Sequence, residues 1–499
     1  MSGRVNIDPY SVLGVSVDST PEEIKAAYRR AARRLHPDVN RDNPGAEVQF
    51  QDLTVAHEIL SDSQRKADYD KSVRRRKDKQ EDELNFALRV TPSKRTVSRL
   101  QEPQVVYLLA EILPDPRARM PEKREARVNL TLVLDHSNSM NGTRLDKVKV
   151  AAHQIIEQLS ETDVLSVIGF NDRAEIIIPA TSVKDKTALK AKVSMMNASG
   201  GTEIYQGLKA GLDQTRRFLA PRLVNHMVLL TDGNTFGDQE KCLELAHQAA
   251  EEGIGISAMG LGQEWNDEFL DELASTTGGI SDYIKSASAV VKFLNNHVRN
   301  LSDAFAERMQ LSIAPDPDVQ MELAFKLSPQ PQPLPMDKGI IPLGSLQGNR
   351  IISVLFQLQL PADMKDGFRS LARLVVSGDI LSNNFQQYQT LSDVSFEVME
   401  NPPIEDPPNK ILDALGKLTL YRMQERAQDA LESGNVEEAT RRLENLATRL
   451  LQMGEEDLAN EARSEAHRVA HTRALSDTGR KTLKYQTRHL LIGSALEDV

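Results

Sequence analysis

Residues 20–38 read TPEEIKAAYRRAARRLHPD, and this stretch decides how the start of the chain folds. Thr20 suits an N-cap, Pro21 suits the first helical position, and Glu23 can close a capping box back onto Thr20. Ile24, Tyr28, Ala31 and Leu35 recur at helical spacing on one face. Lys25, Arg29 and Arg33 form a positive stripe on another, with Arg30 and Arg34 beside it. Pro37 stops this helix, and FQDLTVAHEIL (50–60) starts a second one with Phe50, Leu53, Ala56 and Leu60 as its apolar stripe. Two antiparallel helices joined in this way present His36-Pro37-Asp38 at the bend.

With DPYSVLGV (8–15) ahead of the first helix and QRKADYD (64–70) behind the second, residues 6–72 resemble the J-domain of DnaJ-type co-chaperones. The resemblance implies that Lys25, Arg29, Arg30, Arg33 and Arg34 dock on acidic surface of a DnaK-type heat-shock chaperone. It also implies that His36, Pro37 and Asp38 trigger ATP hydrolysis by that partner. His57 stands where the family more often has Tyr, and is read as a helix-packing side chain.

A chain of 499 residues has room for three or four domains. Its net charge of −11 argues against nucleic acid as a partner, because phosphate binding needs a broad positive surface. The basic run Arg74-Arg75-Arg76-Lys77 falls in a charged linker over 73–84 and is read as solvated. That linker is not the Gly/Phe-rich segment of general-purpose DnaJ proteins. Cys242 is the one cysteine, which excludes an intrachain disulfide and a thiolate zinc site. The opening MSGRVNIDPY lacks the apolar core of a signal peptide, and no run is long enough to span a membrane. The expectation is a cytoplasmic protein.

Further along, short apolar runs alternate with helical segments such as DKVKVAAHQIIEQL (146–159). The runs are VNLTLVL (128–134), VLSVIGF (164–170), HMVLLT (226–231) and IGISAMGLG (254–262). Such alternation predicts a parallel sheet with helices on both faces, whose ligands gather at the carboxyl ends of the strands. Asp135, Ser137 and Ser139 follow the first strand, Asp232 follows a later one, and Thr202 opens the helix EIYQGLKAGL (203–212). These five would converge above the sheet. Their hard oxygens suit magnesium, with manganese as the alternative ion. The set resembles the metal-ion-dependent adhesion site of von Willebrand factor A domains, over residues 127–300. The resemblance implies that a partner's Asp or Glu fills a free position on the ion. His136 occupies a free position of the motif and is read as a loop residue.

LNFALRV (84–90) and PQVVYLLAEIL (103–113) precede this unit. VQMELAFKL (319–327), RIISVLFQLQL (350–360), RSLARLVVSG (369–378) and DVSFEV (393–398) follow it. They predict an antiparallel β-sandwich in two parts, 85–126 and 301–400, with the α/β doubly wound A domain inserted between them. After prolines 402, 403, 407 and 408, residues 409–475 read as helical, with Val436, Ala439, Leu443, Leu446 and Leu450 on one face. One tetratricopeptide-like unit at most is visible, and a helical pack capping the sandwich serves equally well. Residues 476–499 read as a tail.

The expected architecture is therefore multidomain: an all-α J-domain, an A domain within a sandwich, and a helical tail. The expected function is that of a J-domain adaptor, which stimulates a DnaK-type chaperone and grips a protein with an exposed Asp or Glu. The alternative is a scaffold subunit for an AAA-type ATPase, as in the MoxR and magnesium-chelatase systems. No catalysis is expected of the chain itself, since it has no phosphate-cradling loop and no evident nucleophile–base pair.

Overall fold

Thr20 and Glu23 close on one another in the computed structural model of the chain. The Thr20 amide donates to Glu23 Oε2 at 2.8 Å, and the Glu23 amide donates to Thr20 Oγ1 at 3.3 Å. Two otherwise orphaned amides at the helix start are thereby satisfied. The structure describes residues 9–13, 20–35, 44–62, 64–66, 69, 84–119, 126–235, 237–334, 339–381 and 386–493. The helix Pro21–Leu35 buries Ile24 against Leu13, Leu53, Ala56 and Leu60. Its partner helix, Pro44–Ser61, begins a turn and a half before Phe50, with a proline suited to its first position. His57 packs between the helices as expected, its ring stacked 4.0 Å from that of Tyr28.

Met1–Leu84 with Pro315–Gln320 forms one compact unit, and Asn85–Ala314 with Met321–Val499 forms another. The second unit holds a six-stranded sheet in the order Ala174–Ser182, Val164–Phe170, Arg127–Asp135, Leu223–Thr231, Gly255–Leu261 and Ser281–Ile284. All neighbours run parallel except Ala174–Ser182, an antiparallel edge. Both faces are covered. Leu130, Leu132 and Leu134 pack on helices Thr143–Gln158 and Ala287–Ser302, whereas Val133 packs on helices from the opposite side. That alternation follows from the two-residue period of a strand. Asn129 and Thr131 share Val133's face and are polar. They stay buried because Asn129 Nδ2 donates to the Thr215 carbonyl at 2.9 Å and Thr131 Oγ1 meets Ser166 Oγ at 2.7 Å.

Two further sheets draw strands from both sides of this unit. One is ordered Phe86–Pro92, Gln104–Pro114, Ile352–Leu360, Gln320–Ser328 and Gln332–Pro333. The other is ordered Ile340–Gln347, Ala304–Pro315, Gly367–Ile380, Gln386–Met399 and Thr96–Ser98. Gln104–Pro114 pairs antiparallel with Phe86–Pro92 on one edge and with Ile352–Leu360 on the other.

Four helices close the described chain: Asn409–Glu432, Val436–Gln452, Glu456–Thr472 and Asp477–Gly493. Asn435 caps the second through its side chain, which accepts from the Glu438 amide at 3.1 Å. Ile411, Leu418 and Tyr421 of the first pack on Leu109, Phe325 and Leu355 of the first of those two sheets. The last helix corrects the expectation of a tail from 476, for its polar residues are partnered inside the protein rather than solvated. Among the described residues no helix is long and apolar enough to cross a membrane.

Candidate functional site

Parallel pairing places the first components of the site. Leu134 lies opposite Leu230 on the adjacent strand, so Asp135 and Asp232 emerge together at the carboxyl ends. Asp135 Oδ1 accepts from the Ser137 amide at 2.8 Å, and Oδ2 accepts from the Thr231 hydroxyl at 2.7 Å. Ser137 Oγ and Ser139 Oγ lie 2.9 Å apart, and the Ser139 hydroxyl donates to Asp232 Oδ1 at 2.7 Å. Thr202 stands beside the next turn, where a Cβ added to Gly233 would come within 3.3 Å of Thr202 Oγ1. All five expected oxygen donors are thus gathered in one place.

Asp135 and Asp232 are 0% and 1% exposed. Burial pushes the Asp135 carboxyl upward and Asp232 adds repulsion, while hydrogen bonds from Ser137 and Thr231 draw it back. Two buried carboxylates so close together need a cation. The Arg144 guanidinium supplies one, with Nη1 2.5 Å from Asp232 Oδ2 and 3.3 Å from the Ser139 carbonyl. The donors, two carboxylates and three hydroxyls, also match a hard divalent ion. Among the described residues no group of three or more His, Cys, Asp or Glu is gathered to hold a metal, so no softer donor set competes.

His136 is held as part of the loop. Its Nδ1 meets the Asn197 carbonyl at 2.8 Å and its amide donates to the Phe170 carbonyl at 3.0 Å. Gly200 (φ +75) and Gly201 wrap Asp172, whose Oδ1 accepts from the Gly201 amide at 2.8 Å. A Cβ on Gly200 would meet Asp172 Oδ2 at 2.6 Å, so the glycine pair fixes the approach to Thr202. Neither Arg144 nor Asp172 belongs to the spaced motif, and sequence reasoning misses both.

On the first unit, Lys25, Arg29 and Arg33 are exposed on Pro21–Leu35. Arg30 and Arg34 lie on the same helix, with side chains outside the described ones; His36, Pro37 and Asp38 lie outside the described residues.

A charged contact joins the last helix to the helix Asp267–Thr276 of the A-type unit. Arg480 and Lys484 both reach Asp267 at 2.7 Å, and Arg488 grips Asp271 at 2.7 and 3.0 Å. Tyr485 donates to Asp271 Oδ1 at 2.8 Å. Burial pushes Asp271 upward, but Arg488 and Lys484 outweigh it and hold the carboxyl well below its usual range. This contact has a sequence signal, since both carriers step by four: Asp267 and Asp271 on one helix, Arg480, Lys484 and Arg488 on the other.

Known proteins match these parts separately. The DnaJ domain family matches residues 8–70, the von Willebrand factor type A domain family 129–297, and the Sll0103-like C-terminal alpha-helical domain family 409–493. The Synechocystis sp. protein sll0103 is 37% identical over 181 residues, covering 36% of this chain and 43% of that protein. Chaperone protein DnaJ of Carboxydothermus hydrogenoformans is 52% identical over 63 residues, 13% of this chain and 16% of that one. The chain thus spans less than half the length of these curated relatives. Among solved structures, a von Willebrand factor type A protein from Catenulispora acidiphila gives a TM-score of 0.66 at 14% identity, over 81% of this chain and 96% of that one. The ArnB paralog VWA2 from Sulfolobus acidocaldarius gives 0.53 at 12% identity, over 81% and 98%. Both likenesses concern the fold. The chain therefore carries a DnaJ J-domain, a von Willebrand factor type A domain and a Sll0103-like C-terminal helical domain.

Proposed function

We propose that this chain is a specialised co-chaperone adaptor, which recruits a DnaK-type ATPase through its J-domain to a protein held by its A domain. The observation that carries the reading is the convergence of Asp135, Ser137, Ser139, Thr202 and Asp232, with buried carboxylates and hydroxyls in hydrogen-bonding reach. These residues would hold magnesium. The ion, when bound, supplies a positive centre that an acidic side chain of a partner can reach. The protein's own part is positional: Thr231 and the Ser137 amide fix Asp135, and Ser139 fixes Asp232.

The two mixed sheets act in this reading as an antiparallel sandwich into which the A domain is inserted, since strands from both flanks share each sheet. His36, Pro37 and Asp38 supply the stimulus to the chaperone, and the exposed Lys25, Arg29 and Arg33 supply attraction. We assign the chain to the cytoplasm and assign it no catalysis of its own. The test is stimulation of a DnaK-type ATPase by the wild type and by His36→Gln, combined with partner capture with and without EDTA. Equal stimulation by both proteins would remove the co-chaperone half. Metal-dependent capture of an AAA-type ATPase alone would favour the scaffold alternative.

A further inference from the structure

A cleft of about 920 Å³ opens over the metal-site hydroxyls. Ser139, Thr202 and Gly233 line one end, and the A-domain loop Gln263–Glu268 continues that wall. The opposite wall comes from the C-terminal helical domain, through Leu431, Glu432, Arg473 and Asp477. Thr202 is 8% exposed and borders the cleft.

Charge around the cleft is one-sided. Glu264 and Glu268 on the A-domain wall, and Glu432 and Asp477 on the helical wall, are exposed. The cations nearby are largely engaged: Arg480 pairs with Asp267 at 2.7 Å, and Lys481 donates to the Gln263 and Trp265 carbonyls at 2.5 and 2.6 Å. Arg473, at φ +60 beyond the helix Glu456–Thr472, is the one exposed cation among the lining residues. A cation site at the floor thus lies between two acidic walls.

We infer that the partner lays a short segment in this cleft, with a single Asp or Glu directed at the metal-site hydroxyls and Lys or Arg on either side. The flanking cations meet Glu264 and Glu268 on one wall and Glu432 and Asp477 on the other. A volume of this order takes a short peptide rather than a folded surface. The C-terminal helical domain is then half of the recognition surface. The inference rests on the metal-bridged reading above.

The test is fluorescence anisotropy with the full chain and labelled peptides, at physiological salt so that unspecific attraction is screened. The probes are Gly-Arg-Lys-Asp-Lys-Arg-Gly, its Asn-centred analogue, and Gly-Glu-Glu-Asp-Glu-Glu-Gly. With magnesium, the first binds roughly tenfold tighter than either other peptide. Glu264→Lys with Glu268→Lys, and Glu432→Lys with Asp477→Lys, each weaken it by about tenfold without moving the thermal melt. Equal or tighter binding of the acidic-flanked peptide overturns the inference. So does an unaffected Glu432→Lys/Asp477→Lys protein, because the helical wall would then be idle. Flank preference that survives EDTA and the Asn substitution supports the cleft and overturns the metal bridge. Magnesium-dependent binding indifferent to the flanks does the reverse.

Discussion

Arg144 puts a fixed positive charge on the carboxylate that a divalent ion would share. Its Nη1 lies 2.5 Å from Asp232 Oδ2, whereas Ser139 holds the other oxygen. Like charges in a partly buried site repel by an amount on the order of 1 kcal/mol or more. Arg144→Gln should therefore tighten magnesium binding by about tenfold in isothermal titration calorimetry. Weaker binding would mean that the guanidinium orients Asp232 for the ion instead. A second residue carries a pH dependence. Burial pushes Glu307 up to about 7, against smaller downward pulls from Ser345 and Arg308. Its folded pKa lies above its unfolded one, so the unfolded chain ionises first as pH rises. Stability should fall between about pH 4.5 and 7 and flatten above, a loss of about 3 kcal/mol. Urea unfolding at pH 5 and pH 8 should show Glu307→Gln gaining on the wild type over that interval. An unchanged difference at the two pH values would contradict it.

The helix Asp477–Gly493 is the element that departs furthest from its sequence reading. Arg488 is 2% exposed and grips Asp271 with two hydrogen bonds, with Lys484 2.8 Å from the same carboxylate. Removing one partner of such a pair strands a buried charge, so Arg488→Met should cost about 3–5 kcal/mol. Arg488→Met with Asp271→Asn should cost less than the sum of the two single changes. Trp265, the chain's one tryptophan, reports on this contact, because Lys481 Nζ lies 4.5 Å from its ring centre. Urea titration followed by its fluorescence gives the double-mutant cycle, and simple additivity would disprove the coupling. The helix was hard to read because its inner face is charged: Arg480, Lys484 and Arg488 suggest solvent to any rule based on apolar periodicity. Where burial is apolar, the reading holds. Ala439, Leu443, Leu446 and Leu450 are buried as their spacing predicts. The capping box at Thr20 forms, and the five metal-site residues converge from three loops. Strands Ala174–Ser182 and Ser281–Ile284 are edges of the sheet with weaker apolar character, and escape notice. Arg144 and Asp172 act through contacts that no spacing rule encodes.

At the scale of the whole molecule, the residues proposed to act on the chaperone and those proposed to hold the metal belong to different compact units. Their roles should separate cleanly. His36→Gln should abolish ATPase stimulation and leave magnesium-dependent capture unchanged, and Asp135→Ala should do the opposite, with Thr202→Ala as a milder second variant. The stronger expectation concerns the covalent tie. Joining two binding modules in one polypeptide raises the effective concentration of the second to the order of mM. A captured protein then meets the ATPase at a rate that two separate proteins at about micromolar concentration cannot match. An equimolar mixture of His36→Gln and Asp135→Ala contains one working copy of each part, but never on the same chain. Such a mixture should fail to promote chaperone-dependent release of a captured partner, while the wild type at half the concentration succeeds. Release by the mixture at the wild-type rate would show that the two parts act independently, and the fusion would need another explanation.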